Sequence, residues 1–83
     1  MKKNNTKFRK NKDISSMDVV KRFNISYHVL NHYTNLGLLP ISRREGKIRY
    51  YNQNIVKKRL KEIRRFMKEG YPLYLIRKKI IGV

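Results

Sequence analysis

Two short helical patterns with only three residues between them constrain the fold of this chain more than any other feature. Ser15 stands three residues before an aspartate and opens an apolar pattern, so we predict a capped helix over residues 16–22. A second helical pattern follows Ser26, a good N-cap residue, and spans residues 27–36 before a glycine. Asn24 lies between the patterns and tolerates the left-handed conformation that a tight turn needs. The segment therefore predicts a helix, a three-residue turn and a second helix.

The outer face of the second predicted helix carries no formal charge. Its residues are Tyr27, His28, Asn31, His32 and Asn35, whereas Val29, Leu30, Tyr33 and Leu36 fall on the opposite, apolar side. Most other polar stretches of the chain are crowded with lysine and arginine. Short amide, hydroxyl and imidazole groups can read base edges, with asparagine to adenine the common pairing. Two interpretations stay open here, a neutral polar surface and a base-reading surface.

Length and charge limit the classes of function. The chain has 83 residues, with 22 basic against 5 acidic side chains and a formal net charge of +17. So short a chain predicts one small domain without a large enclosed active site. The positive excess predicts a polyanionic partner, either DNA, RNA or an anionic membrane surface. Cysteine is absent, which excludes disulfides and the usual structural zinc modules and favours an intracellular protein.

A basic segment after the second helix predicts a two-stranded hairpin around Gly46, residues 43–51, which we call the wing. By the strand period of two, Ile48 and Tyr50 point to one face and Arg49 and Tyr51 to the other. Two interpretations stay open: a solvated hairpin, or a hairpin whose arginines lie on phosphates or in a minor groove.

Two further helices follow the wing. Asn52 is the predicted N-cap of a helix over residues 53–69, and Pro72 begins a fourth helix. We predict that Val56, Leu60, Ile63 and Met67 form the core stripe of the third helix, widened by Phe66, and that Leu73, Ile76 and Ile80 share a face of the fourth.

The remaining basic segment is at the amino terminus. Residues 1–13 have no helical or strand period and predict a disordered basic arm ahead of a single domain over residues 14–83. The arm is interpreted either as a solubilising tail or as a phosphate-contacting segment. No stretch is apolar enough to span a bilayer or to act as a secretory signal, so we expect no membrane association.

The sequence offers little for catalysis or metal binding. His28 and His32 are four residues apart, but no glutamate follows the first histidine and no cysteine supplies a third ligand. The five carboxylates are scattered, and neither a phosphate-binding glycine loop nor a nucleophile triad is present. We therefore predict a non-enzyme without metal or cofactor.

Taken in order, the segments VVKRFNIS, YHVLNHYTNLGLLP, IRYYNQNI and IRRFMKEGYPLYLIRKKI are familiar. They resemble the DNA-binding domain of the MerR (mercury-resistance regulator) family of bacterial winged-helix proteins, over residues 15–81. The specific parts are Leu30 and Tyr33 before Gly37-Leu38-Leu39-Pro40, the Arg49-x-Tyr51 pair, and Gly70-Tyr71-Pro72-Leu73 leading to Ile76.

The resemblance implies a mainly α winged helix-turn-helix of about four helices plus a two-stranded wing, with the second helix in a major groove. Tyr27 and His28 match the start of the recognition helix, Tyr33 a partly core tyrosine near phosphate, and Arg49 and Tyr51 the wing anchors. The predicted DNA contacts are Ser26, Tyr27, His28, Asn31, His32, Tyr33, Arg43, Arg44, Lys47, Arg49 and Tyr51.

The chain departs from the family pattern at four positions. Asn31 stands where the family usually has an arginine on the DNA backbone, and Thr34 replaces a common glutamate. Asn24 and Lys47 replace frequent glycines in the turn and the wing. These replacements leave the predicted fold intact. The phosphate contacts that the family makes from the second helix would then come from other residues, such as lysines.

We expect a sequence-selective, double-stranded DNA-binding protein, a small bacterial transcriptional regulator located in the cytoplasm with the nucleoid. The family's long pairing helix and sensor domain do not follow residue 81, so we expect neither effector sensing nor the coiled-coil dimer. Self-association on DNA stays open. The alternative is an architectural or recombination-directionality factor, similar to phage excisionases, that bends DNA. RNA binding is a third hypothesis, resting on charge alone.

Overall fold

A computed structural model of the chain describes residues 12–83, so residues 1–11 of the predicted arm lie outside the described residues. The helices of the described part are α1 (Ser16–Phe23), α2 (Tyr27–Asn35), α3 (Gln53–Lys68) and α4 (Leu73–Ile81), and the strands are β1 (Asp13–Ser15), β2 (Arg43–Glu45) and β3 (Ile48–Asn52). The predicted mainly α, winged helix-turn-helix class is confirmed. None of the helices in residues 12–83 is long and apolar enough to cross a bilayer.

The turn between α1 and α2 forms as the local sequence predicts. Ser15 and Ser26 are the N-caps, and each hydroxyl accepts a hydrogen bond from the backbone N–H three residues later, at 3.2 and 3.0 Å. Asn24 has a φ of 52° and so adopts the predicted left-handed conformation. Gly37, after the end of α2, has a φ of 81°, a backbone angle that residues with a side chain rarely adopt.

The sheet has three strands in the order β1-β3-β2, all antiparallel, where the sequence predicts two. The extra strand is β1, so Asp13 belongs to the sheet and not to an arm ending at residue 13. Ile14 is only 5% exposed and pairs with Tyr51 on β3. A strand of three residues is too short to show a period in the sequence, and the partner strand that stabilises it is distant along the chain.

The core lies between the sheet and the helices. Its buried members are Ile14, Val19, Leu30, Leu38, Leu39, Tyr51, Val56, Leu60, Ile63 and Ile76. The predicted stripe of α3 is wrong at Met67, which is 45% exposed. Phe66 is the residue that packs at this end of the helix, with its ring edge-on to Tyr71 at 5.6 Å. The core thus turns toward the α3–α4 connection and leaves Met67 uncovered.

Arginines from α3 and α4 donate hydrogen bonds to backbone carbonyls just after the end of α2. Arg77 on α4 donates a 2.7 Å hydrogen bond to the carbonyl of Leu36, directly after α2. Arg59 on α3 donates to the carbonyl of Leu38 at 3.0 Å. The last carbonyls of a helix lack intrahelical donors and carry partial negative charge, so cations at this position stabilise the end of α2. These contacts fix α2 against the rest of the molecule.

Candidate nucleic-acid interface

The uncharged face of α2 is exposed in the structure. Tyr27 is 49% exposed, and His28, His32 and Asn35 are also exposed, while Leu30 on the opposite side is fully buried. Asn31 is only half-exposed because the wing covers part of it. The helix therefore presents a neutral polar surface, as its sequence period predicts, with the wing along one side.

Arg49 of β3 reaches across to this face and contacts two residues of α2. Its Nη2 donates a 2.5 Å hydrogen bond to Oδ1 of Asn31 and lies 3.5 Å from Oη of Tyr27. The guanidinium carbon is 5.7 Å from the ring centres of both Tyr27 and Tyr51, a cation–π distance. We call Tyr27, Asn31 and Arg49 the Arg49 cluster. It fixes a positive charge beside the neutral face of α2.

The strand register separates the arginines of the wing onto two faces. Arg44 is the cross-strand partner of Arg49, and Arg43 is the partner of Tyr50, so the two neighbouring arginines point in opposite directions. The inner face carries Arg44 and Arg49 and is continuous with the core through Tyr51. The outer face carries Arg43 and Tyr50. The sequence prediction that treats Arg43 and Arg44 alike therefore misses that only Arg44 shares the face that approaches α2.

Arg43 is already surrounded by protein groups. It forms ion pairs with Asp13, at 3.3 Å, and with Glu45, and its guanidinium lies 4.1 Å from the ring centre of Tyr50. Ser42 donates a 3.1 Å hydrogen bond to the Asp13 carboxylate as well. Two of the carboxylates described above as scattered thus converge on one arginine. Their charges offset that of Arg43 on the outer face of the wing.

Tyr51 is a predicted DNA contact that the structure places in the core. It is fully buried, so it has no surface with which to contact DNA. Its hydroxyl lies 2.8 Å from Oγ1 of Thr34, and that oxygen in turn donates to the carbonyl of Leu30 at 2.7 Å. Because Thr34 has a single hydroxyl proton, Tyr51 is the donor of the first bond. Tyr51 therefore ties β3 to α2, and the prediction is corrected accordingly.

Tyr33 is half-buried on the core side of α2. Burial raises the pKa of its phenol above the ordinary value of 10.0, and the charge of Arg64 opposes part of that rise. Arg64 also donates a 3.3 Å hydrogen bond to the carbonyl of Phe23 at the end of α1. Arg64 thus lies next to both helices of the helix-turn-helix, a placement that its position in the basic stretch of α3 does not predict.

The other predicted contacts are at the edges of this surface. Ser26 is exposed, and its hydroxyl accepts the capping N–H of α2. Lys47 is exposed at the turn of the wing. His28 and His32 are not joined by a third ligand, because no group of three His, Cys, Asp or Glu side chains that could hold a metal ion occurs within residues 12–83.

Comparison with known proteins identifies a family. The model for MerR HTH family regulatory proteins matches residues 14–80, nearly all of the part that the structure describes. No curated protein and no solved structure matches the chain significantly.

Proposed function

Because the chain belongs to the MerR family of helix-turn-helix regulatory proteins, which bind double-stranded DNA and are not enzymes, we propose that it is a sequence-selective transcriptional regulator. The observation that carries the proposal is the exposed neutral face of α2 in a chain of net charge +17. A helix of this kind enters a major groove and reads base edges, while cations beside it hold the phosphates.

Two sets of side chains have separate roles in this proposal. His28, His32 and Asn35 face the base edges, because they are exposed and uncharged. Arg44 and Arg49 face the phosphates from the inner face of the wing. Tyr27, Lys47 and Ser26 lie between or beside these groups, and Tyr33 and Tyr51 support the helix from the core side.

The proposal is tested by repeated selection of the 83-residue protein on a random duplex library, followed by affinity measurements on the enriched and scrambled sequences. We expect an enriched motif that binds roughly 1,000-fold more tightly than scrambled duplex, within the usual range of specific over non-specific binding. With about 6 neutralised phosphates, affinity should fall roughly as the fifth power of the salt concentration. Uniform recovery of all sequences would contradict selectivity.

A matched pair of variants separates base reading from charge. His28→Ala with His32→Ala removes exposed groups of α2 without changing formal charge, and should abolish most of the preference for the enriched motif. Arg44→Gln on the inner face of the wing removes one positive charge and should weaken binding to all sequences alike. If the histidine variant keeps the full preference, α2 does not read the bases through these side chains.

A further inference from the structure

The Arg49 cluster determines which hydrogen-bonding groups α2 can offer to a ligand. Arg49 has donors and no acceptor, so the atom of Asn31 that faces it at 2.5 Å must be the amide oxygen. The amide nitrogen of Asn31 is then the donor end of the side chain, and it donates to no protein group among residues 12–83. The orientation of this amide is thus fixed by chemistry as well as by position.

This orientation matters because asparagine usually recognises adenine with both amide atoms. The oxygen accepts from N6 of adenine and the nitrogen donates to N7. In this protein the acceptor of Asn31 is held by Arg49, and the hydroxyl oxygen of Tyr27 faces the same guanidinium at 3.5 Å. One lone pair of each oxygen is thus engaged by Arg49, while the amide N–H groups, the phenol O–H and the remaining guanidinium N–H groups are all donors, so the cluster offers mainly donors.

We propose that Asn31 is a positioning residue for Arg49 and that the Arg49 cluster prefers hydrogen-bond acceptors of the DNA to the amino group of adenine. This inference rests on the proposed function and specifies the chemistry of the same surface. The acceptors with matching chemistry are O6 and N7 of guanine, O4 of thymine and the phosphate oxygens, whereas the edges of adenine and cytosine carry an amino group that would face donors.

The arrangement brings a positive charge to α2 from another element. The charge comes from β3, eighteen residues away, and the asparagine on α2 holds the guanidinium beside the helix. The rings of Tyr27 and Tyr51 both lie within cation–π distance of the guanidinium and restrict its movement. A guanidinium held in this way loses little side-chain freedom when a ligand binds.

The test is a double-mutant cycle on the duplex enriched by the wild-type protein, with Asn31→Ala, Arg49→Met and the double variant. If Asn31 acts through Arg49, each single variant weakens binding about tenfold and the double variant is no weaker than Arg49→Met alone. If the ligand of the cluster is a phosphate, the slope of affinity against salt should also fall by about one in Arg49→Met and in the double variant. Thermal unfolding of each variant confirms that the domain is still folded. Additive losses would overturn the positioning role.

Selection with the Arg49→Met variant tests the choice of base. Loss of the guanidinium frees the oxygen of Asn31, so adenine should become enriched at a position where the wild-type protein selects guanine or thymine, or shows no preference. In the latter case the wild-type ligand of the cluster is a phosphate. Wild-type enrichment of adenine that disappears in Asn31→Ala would overturn the inference while leaving selective DNA binding intact. Absence of any wild-type motif would instead contradict the proposed function.

Discussion

At the scale of single residues, a pair of hydroxyl groups links α2 to the sheet. Thr34 donates to Leu30 and accepts from the buried Tyr51, so one side chain joins a helix to a strand. Buried hydroxyls of this kind contribute little when bonded and much when left without a partner. Thr34 therefore leaves neither its own hydroxyl nor that of Tyr51 without a partner.

Thr34→Val should destabilise the protein by about 1–3 kcal/mol, because it leaves the buried hydroxyl of Tyr51 without a partner. The free energy of unfolding from urea titration measures the effect. Adding Tyr51→Phe to Thr34→Val removes the unpaired hydroxyl and should recover part of the loss. If the double variant instead loses as much unfolding free energy again as Thr34→Val alone, the unpaired hydroxyl of Tyr51 is not the cause of the loss.

Tyr33 makes the stability of the protein depend on pH in the alkaline range. Since burial raises its pKa in the folded protein, the unfolded chain loses the phenol proton first, near the ordinary value of 10.0. The unfolded state then binds fewer protons than the folded state, so the free energy of unfolding falls as pH rises through and above that value. Tyr33→Phe should flatten this fall in urea titrations between about pH 8 and 11. Tyr74→Phe, at a side chain that is 71% exposed, is the control and should keep the wild-type profile.

At the scale of elements, the wing assigns different roles to adjacent arginines. The register puts Arg43 on the outer face between Asp13 and Glu45, and Arg44 on the inner face beside Arg49. Exposed ion pairs such as those of Arg43 contribute little to stability. They do, however, reduce the positive potential of the outer face, so the positive potential of the wing is concentrated on the side of α2.

Two double variants of equal net charge test this difference. Arg44→Gln with Glu45→Gln should weaken DNA binding about tenfold and lower the salt slope by about one, because a phosphate contact is lost. Arg43→Gln with Glu45→Gln also keeps the net charge at its wild-type value and should change neither quantity. The reverse ranking, measured by fluorescence anisotropy over a salt series, would place the DNA on the outer face.

At the scale of the whole molecule, α3 and α4 form the support that orients α2. Arg77 and Arg59 bond to carbonyls directly after α2, and Arg64 bonds to the end of α1. A Cβ at Gly37 would lie 3.3 Å from Ile81, so α4 also packs closely against the residue that ends α2. Part of the large basic excess is therefore structural, and not all of the arginines are available to a polyanion.

Arg77→Met should lower the free energy of unfolding by about 1.5–3 kcal/mol, because a charged hydrogen bond to the carbonyl of Leu36 is lost. The aliphatic part of the side chain is retained in methionine, so packing changes little. Lys78→Met, at the next and exposed position of α4, removes the same charge and should change stability by less than about 0.5 kcal/mol. Equal effects of the two variants would show that net charge, and not this bond, is responsible.

The features that depend on neighbouring residues could be predicted from the sequence. Hydrogen bonds and backbone preferences within a few positions are enough to predict the N-caps at Ser15 and Ser26. The same holds for the left-handed Asn24 and for the end of α2 before Gly37. The amphipathic period of α2 and the hairpin around Gly46 are local as well, and together with the family motifs they were sufficient to predict the fold class.

Contacts between residues far apart in the chain became known from the folded structure and not from the sequence. The pairing of Asn31 with Arg49, the burial of Tyr51, the occupied state of Arg43 and the bond from Arg77 to Leu36 join residues 17 to 41 positions apart. No local period encodes such contacts, because each depends on how the helices and the sheet pack together. Strand register and helix packing therefore determine which of the many basic side chains are free to bind DNA and which already hold the protein together.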